Sequence, residues 1–454
     1  MAMENDLGRD EIKRLVLHIA VPSMLAQFVS VLYSIVDRMY IGNIPEVGAV
    51  ALAGAGVCGP IVTMTGSVAS WVGIGGAPLM SMKMGQQNHK LAQKILANSF
   101  LLLAVASVLL MACIYPIREP MLRYFGASDV TLPYANSYFS IYLAGTFFAL
   151  MATGMNQFII CQGFAKMGMY SVMLGAVLNI VLDPVFIFVF DMGVAGAAIA
   201  TVLSQIASCT FVLCFLFGKT VPVRITFGGY ERQLMQKILT IGLTPFLIIA
   251  LDNVMIIAMN AVLQKYGGPA EGDMLITCAT VVQSFMLVIT MPLGGITGGT
   301  QTILAYNYGA GQTDRVKEAQ RWIFLMGLVY TAVLFILART ASPLFVRLFS
   351  SDPALSAEAV RTIKIYTLAI IPLSIQYEIV DGFTGLGQVR ISLPLSLFRK
   401  AIYFIPLFVL PVFFGARSAF YAEPISDLIA PVVSSVVYFI AMKRILKRPV
   451  IPYV

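Results

Sequence analysis

The feature that most constrains the fold is a series of long apolar segments, each able to cross a lipid bilayer. A membrane-spanning helix needs about 20 mostly apolar residues, and twelve such segments can be drawn along the 454-residue chain. Only 11% of the residues are charged, against about 25% in soluble domains. We therefore predict an all-α polytopic membrane protein with twelve transmembrane helices. The predicted spans are residues 15–42, 50–81, 95–117, 131–160, 169–190, 193–218, 235–264, 274–304, 322–341, 358–384, 391–414 and 418–442.

The distribution of lysine and arginine predicts how these spans are oriented. If the N-terminus is cytoplasmic, the cytoplasmic loops and adjoining span ends carry 19 of these residues and the external ones carry seven. Cytoplasmic loops of membrane proteins are enriched in basic residues. We therefore predict a multi-pass protein of the plasma (inner) membrane, with both termini in the cytoplasm. The net charge of +8 follows from this bias and needs no nucleic-acid partner; we expect a monomer in contact with membrane lipids.

The two halves of the chain resemble copies of one another. The glycine spacing of Gly75–Gly85 recurs in Gly299–Gly309, and Pro184 and Pro406 fall at equivalent points of their halves. Glycines can also recur simply because loops need them. Copies with six spans each would have the same orientation and form two six-helix bundles related by a pseudo-twofold axis along the membrane normal. The predicted lobes are residues 1–225 and 226–454.

Polar residues inside the apolar spans are the candidate functional residues, because charge in hydrocarbon is expensive and is usually kept for a purpose. Asn179 and Asp183 are four residues apart and so lie on one helix face. At 1.5 Å per residue, Asp37 and Thr201 lie at a similar depth in two other spans. Two carboxyl groups close together in a low dielectric cannot both ionise cheaply. We predict that the four residues bind a coupling cation, either a proton or a sodium ion with the amide and hydroxyl oxygens as further ligands.

Each of these residues also has a structural explanation. Asp183 could hydrogen-bond backbone groups beside Pro184, which removes one helix donor. Asp37 could form an ion pair with Arg38, its neighbour in the chain. The Thr201 hydroxyl could bond to its own helix, as threonine hydroxyls commonly do.

The second half has its own polar residues within the spans. Asp252 is the strongest candidate, because it lies in mid-span and has no basic neighbour in the sequence. The glycine clusters lack the Lys-Ser/Thr that follows a phosphate-binding loop, and the spans contain neither Asp-Asp-x-x-Asp nor a His–Asp pair. We therefore expect no cofactor and no enzymatic activity. The candidates for substrate binding or a second cation site are Asp252, Asn253, Asn260, Glu378, Asp381 and Glu423.

Five stretches resemble the multidrug and toxic compound extrusion (MATE) family of transporters, and the resemblance covers essentially the whole chain. An aspartate late in the first span together with Asn-x-x-x-Asp-Pro in the fifth is fairly specific to that family. The stretches are Val36–Gly42, Gly75–Gly85, Leu178–Pro184, Gly193–Thr201 and Thr384–Gln388.

The resemblance implies a secondary active antiporter that exports lipophilic or cationic organic compounds in exchange for H⁺ or Na⁺ by alternating access. In DinF-like members, the positions matching Asp37, Asn179, Asp183 and Thr201 form the cation site of the N-terminal lobe. Pro22 matches a proline at which the first helix is proposed to bend when that site changes state.

NorM-like members have an acid in the seventh helix that matches Asp252, although there it is usually a glutamate. Their acid in the tenth helix has no clear match, because Glu378 and Asp381 are displaced from it. The alternative function is a lipid or lipid-linked oligosaccharide flippase of the same superfamily. A flippase would need a cationic cavity for a pyrophosphate, whereas the charges within these spans are mainly acidic.

Overall fold

The computed structural model describes residues 5–349 and 352–447, which form helices joined by short connections and contain no strand. The chain ends and residues 350–351, and with them the predicted cytoplasmic Arg448, lie outside the described residues. The helices are α1 (Ile12–Gly42), α2 (Gly48–Gly85), α3 (His89–Tyr124), α4 (Leu132–Ala144), α5 (Thr146–Ile160), α6 (Ala165–Pro184), α7 (Gly193–Phe217), α8 (Arg232–Gly309), α9 (Thr313–Thr340), α10 (Ser342–Val346), α11 (Pro353–Tyr366), α12 (Ile370–Gly385), α13 (Val389–Phe414) and α14 (Ala422–Ile445).

The predicted all-α fold with twelve spans is confirmed. Helix α8 comprises two arms, Arg232–Gly268 and Glu271–Gly309, which meet at Gly268, where φ is +62°. Ten helices are long and apolar enough to cross a membrane, and two further spans are bent helix pairs. The pair α4 and α5 bends by 56°, and the pair α11 and α12 bends by 51°. The sequence predicted each of these two spans as a single uninterrupted segment.

Helix α2 packs closely against both arms of α8. A Cβ atom built on Gly242 of the first arm would lie 1.7 Å from the Trp71 carbonyl oxygen, and two similar contacts join α2 to the second arm. A Cβ atom built on Gly85 would lie 2.1 Å from the Tyr306 carbonyl oxygen, and one built on Gly309 would lie 2.1 Å from that of Met82. Adding 224 to a residue number of the first half turns Gly85 into Gly309 and Met82 into Tyr306. Each contact is therefore the copy of the other in the repeated half. The pseudo-twofold axis therefore passes between these helices. Because the two glycines have no side chains, the two backbones can touch there.

The end of the molecule that contains Gly85 and Gly309 is called here the basic end, because lysines and arginines follow both helices there. The N-terminal strap, residues 5–11, lies across it. Asn5 donates a hydrogen bond to the Gly163 carbonyl of the first half at 2.8 Å. From the second half, Asn307 donates to the Leu7 carbonyl at 3.0 Å and Arg315 donates to the Asp10 carbonyl at 2.8 Å. The strap therefore joins the two halves at this end.

Along the part of α2 remote from the basic end, the described glycines make no comparable contact with the second half. Gly56, Gly59 and Gly66 have no atom within 4 Å of an added Cβ. Gly54 is closely packed, but against Ala135 and Tyr134 of its own half. The close backbone contacts that α2 makes with the second half therefore lie in the half of α2 next to the basic end. The described glycines in the other half of α2 make none with the second half.

Candidate functional site

Helices α1, α6 and α7 converge in the first half and bring three of the predicted site residues into direct contact. The Asn179 amide nitrogen donates to a carboxyl oxygen of Asp183 at 3.1 Å and to the Thr201 hydroxyl at 3.3 Å. Asn179 and Asp183 are 2% and 0% exposed. The spacing of four residues therefore places both side chains on the buried face of α6, as the sequence predicted.

The backbone of α6 loosens directly after Asp183. Pro184 has no amide hydrogen and cannot continue the usual hydrogen-bond pattern. The next five residues, Val185–Val189, form a π-helical turn, which is closed by the Phe190 amide bonding to the Val185 carbonyl at 2.9 Å. Such turns are rare and often lie at functional sites.

Asp37 of α1 completes the group. Its carboxyl group lies within hydrogen-bonding reach of the Asp183 carboxyl group. Two carboxylates have no hydrogen to share, so this contact requires a proton on one of them or a cation between them. Arg38 is exposed and forms no ion pair with Asp37. The ion pair that was the alternative explanation for Asp37 is therefore not formed.

Three oxygens of this group are buried and accept no hydrogen bond: one each from Asp37, Asn179 and Asp183. A buried polar atom without a partner is destabilising unless a ligand or water satisfies it. Carboxylate, amide and hydroxyl oxygens are ligands suited to hard cations. The donor set therefore fits a bound proton or sodium ion, and the role of these residues in coupling stays a prediction.

Tyrosines lie near the carboxyl pair, and the sequence reasoning missed them. Tyr33 and Tyr138 lie within electrostatic range of Asp37. The ring of Tyr142 stacks on that of Tyr138, with centroids 6.4 Å apart, and its hydroxyl group contacts Gln205. Tyr33 precedes Asp37 by one helical turn, so the same periodicity that linked Asn179 to Asp183 could have identified it.

The six candidates of the second half do not form a single site. Asp252 forms an ion pair with Lys400 of α13, so the apparent lack of a basic partner in the sequence was misleading. Glu423 accepts a hydrogen bond from Arg399 at 2.7 Å, and Asp427 accepts one from the same guanidinium at 2.8 Å. These adjacent bases in α13 neutralise most of the acids near them.

The remaining candidates lie apart from these ion pairs. Asp381 accepts a hydrogen bond from Thr297 of the second arm of α8, and Glu378 is buried one helical turn away with one unpartnered oxygen. Asn253 donates to its own helix, at the Ile249 carbonyl, at 2.9 Å. Asn260 is half-buried and makes no side-chain hydrogen bond to a described residue.

Pro22 lies within α1, which continues as one helix from Ile12 to Gly42. The proline is buried against the second half of the molecule, where Ser23 contacts Gly295 and Gly299. The position is thus next to the interface of the halves, as a hinge would require, although its proposed bending stays a prediction.

A family model described as MatE matches the chain twice, over residues 22–185 and 246–410. The chain belongs to the MATE family. The two matched stretches begin 224 residues apart, as the repeated glycine contacts do. Multidrug export protein MepA of Staphylococcus haemolyticus is 24% identical over 434 residues, which cover 94% of each chain. MepA of Staphylococcus aureus strain N315 is 22% identical over 431 residues, again covering 94% of both.

Solved MATE structures share the fold of this MATE protein. An outward-facing multidrug resistance MATE transporter superposes with a TM-score of 0.90 at 21% identity, covering 97% of this chain and 98% of that one. A MATE transporter in a straight conformation gives a TM-score of 0.90 at 22% identity with the same coverage. The resemblance identified from the sequence is therefore confirmed for the family and for the fold of a multi-pass membrane transporter.

Proposed function

We propose that this protein is a secondary active efflux antiporter that exports lipophilic and cationic organic compounds in exchange for protons or sodium ions. The observation that carries the proposal is the contact between the carboxyl groups of Asp37 and Asp183 in a buried setting. A site with this composition can alternate between a cation-loaded and an empty state, which is what coupling requires. The relatives named above are multidrug export proteins, which supports the substrate class.

The packing of the two halves supports an outward-open state. The basic end is closed by the glycine contacts of α2 and α8 and by the N-terminal strap, whereas the outer part of the interface lacks such contacts. Under the predicted topology the basic end faces the cytoplasm. In this state, a cation from outside would reach Asp37, which is half-buried, and displace an organic cation held by the unpaired acid.

The loaded site would then reorient. A cation bound between Asp37 and Asp183 halves their combined charge, reduces their mutual repulsion and lowers the cost of burying them. Opening of the basic end requires α2 and α8 to separate at Gly85 and Gly309. One charge moving down a potential of about 100 mV supplies about 2.3 kcal/mol, before any concentration gradient of the ion is counted.

Tyrosines and one acid offer contacts for an organic cation. The faces of aromatic rings attract cations. Tyr33 and Tyr138 lie near the carboxyl pair, and Tyr142 stacks on Tyr138. The side chain of Asp252 is 48% exposed despite its ion pair with Lys400. An organic cation could therefore replace the lysine at the accessible side of this carboxylate.

The flippase alternative is less well supported by the charges. The two buried bases, Arg399 and Lys400, face three acids, Asp252, Glu423 and Asp427. With every group ionised, two positive and three negative charges give a net charge of −1. A pyrophosphate would meet net repulsion there, whereas a cationic substrate would not.

The test is uptake of ethidium into inside-out vesicles, driven separately by a pH gradient and by a sodium gradient. We expect one of the two gradients to drive ethidium uptake. Each of the single variants Asp37→Asn and Asp183→Asn should abolish this uptake. Asp129→Asn, which removes an exposed acid paired with Arg123, is the control and should transport like the wild type. Wild-type rates in both site variants would refute the assignment of the coupling site.

A further inference from the structure

A groove rich in basic residues lies at the end of the second half remote from the N-terminal strap, where α9 ends and α11 passes it. Two adjoining cavities of about 520 and 440 Å³ form it. The larger cavity, called here the basic groove, is lined by three basic side chains, Arg339, Arg361 and Lys364. Its walls are otherwise mainly apolar: Ala357, Val360, Ile365, Leu368 and Tyr421.

The positive charges of the basic groove are not neutralised within the part of the chain that the structure describes. Arg361 and Lys364 are exposed and lie within ion-pair distance of no described carboxylate. Arg339 packs over the Phe335 ring at 4.5 Å and donates to the Lys364 carbonyl. Its second terminal nitrogen, Nη2, is buried and has no hydrogen-bond partner. A buried guanidinium nitrogen without an acceptor indicates that an acceptor is supplied from elsewhere.

The adjoining cavity differs in this respect. Arg417 lies there between two carboxylates, Glu358 at 3.3 Å and Glu271 at 3.6 Å. The charge of Arg417 is therefore largely neutralised by carboxylates of the protein. The three charges without a described carboxylate partner all line the basic groove, and Arg361 also lines the adjoining cavity. They lie on the side of the membrane where basic residues are predicted to be scarce.

The surroundings of the basic groove are those of a membrane–water boundary. Leu368 in its wall is 52% exposed, and Ile336 and Leu337, one turn before Arg339, are 59% and 43% exposed. A free phosphate ion would gain nothing from this apolar surface. A phospholipid would place its phosphate against the three bases and its acyl chains along the exposed leucines and isoleucine.

We propose that the basic groove binds the headgroup of an anionic phospholipid, with the phosphate held by the Arg339, Arg361 and Lys364 side chains that line the groove. The lipid would occupy the angle between the end of α9 and α11, close to the bend between α11 and α12. This site is separate from the coupling residues in the first half, and the proposal does not depend on which cation drives transport.

The test is retention of phosphatidylglycerol by the purified full-length protein, measured by native mass spectrometry during titration, with phosphatidylcholine as the neutral lipid. The test variant is Arg339→Gln/Arg361→Gln/Lys364→Gln. The control is Arg118→Gln/Arg123→Gln/Lys265→Gln, which removes three basic residues predicted to lie on the same side of the membrane. We expect about tenfold or greater loss of phosphatidylglycerol affinity in the test variant only, because each basic residue contributes separately to anionic lipid binding.

Two further measurements keep the outcome unambiguous. Arg361→Glu changes one exposed side chain, so it should leave the fold intact and still weaken phosphatidylglycerol binding. Inorganic phosphate at millimolar concentration is added to the wild type to distinguish a lipid from a free anion. Equal retention of both lipids, unchanged affinity in the test variant, or complete displacement of phosphatidylglycerol by inorganic phosphate would each overturn the proposal.

Discussion

At the scale of single residues, the buried acids differ in whether a base holds them. Asp37 and Asp183 of the first half have no basic partner, and neither have Glu378 and Asp381 of the second half. Asp183 is fully buried and contacts another carboxyl group and an amide, whereas Asp427, equally buried, is held by Arg399. An acid with a basic partner keeps a fixed charge, because removing the charge would strand the base. An acid that contacts another acid needs a mobile cation. This difference supports the proposal that the Asp37–Asp183 pair couples transport to a cation.

The pairing around Arg399 predicts a large effect on stability. Arg399→Leu leaves Glu423 and Asp427 buried without a positive partner, which typically destabilises by about 3–5 kcal/mol. We expect a clearly lower unfolding temperature in detergent, measured by thermal-shift assay. Arg417→Leu, which removes a partly exposed arginine, should change it little, since exposed ion pairs contribute about 0–1 kcal/mol.

The triple variant Arg399→Leu/Glu423→Gln/Asp427→Asn supplies the complementary check. It removes the stranded charges as well as the base, so the unfolding temperature should recover much of the loss. An unfolding temperature of Arg399→Leu equal to that of the wild type would contradict the description of these residues as a buried, mutually dependent group.

The sequence was sufficient to predict those residue contacts that depend on helix periodicity and depth. Asn179 and Asp183 share a face because four residues make about one turn, and Asp37 and Thr201 lie at a matching depth. The Lys400–Asp252 pair could not be found this way. It depends on the rotation of α13 relative to α8, and periodicity within one helix carries no information about that rotation.

At the scale of helices, the contact between α2 and α8 depends on glycine. The carbonyl oxygens of Met82 and Tyr306 occupy the space that side chains at Gly309 and Gly85 would fill. The sequence revealed the repeat of these glycines but not their direct contact across the axis. It also gave the two bent spans as single segments, because an apolar run of sufficient length has the same composition whether the helix is straight or bent.

Substitution at this crossing should separate the halves. Gly309→Ala places a methyl group where a backbone oxygen lies, and such overpacking typically costs about 1–3 kcal/mol. We expect a lower unfolding temperature and slower ethidium efflux, because the added methyl group destabilises the conformation in which the basic end is closed. Gly66→Ala adds the same methyl group in open space on α2 and should behave like the wild type. Equal behaviour of the two variants would contradict the role of this contact.

At the scale of the whole molecule, the two halves have the same architecture but different chemistry. The alignment by Pro22 and Pro245, a shift of 223, places Asn260 where the first half has Asp37. The shift of 222 between Pro184 and Pro406 places Ile405 opposite Asp183. The carboxyl pair is therefore not repeated.

The second half also has a different residue at the position that corresponds to Thr201. The shift of 222 between Gly193 and Gly415 places Glu423 where the first half has Thr201. Glu423 is engaged by Arg399 at 2.7 Å, so it is not available as a free acid. The second half thus has the helices of the repeat but other residues at these positions, which supports the proposal that coupling lies in the first half.

The most direct test is cation release from the purified protein when a drug binds. Ethidium is added to the detergent-solubilised protein in weakly buffered solution, and released protons are followed with a pH indicator and released sodium with ²²Na⁺. Two double variants are compared with the wild type: Asp37→Asn/Asp183→Asn and Glu378→Gln/Asp381→Asn.

We predict that the wild type and the second-half variant release a cation on binding ethidium, and that Asp37→Asn/Asp183→Asn releases none. Release from the Asp37→Asn/Asp183→Asn protein, or its loss in the Glu378→Gln/Asp381→Asn protein alone, would contradict the assignment of coupling to the first half.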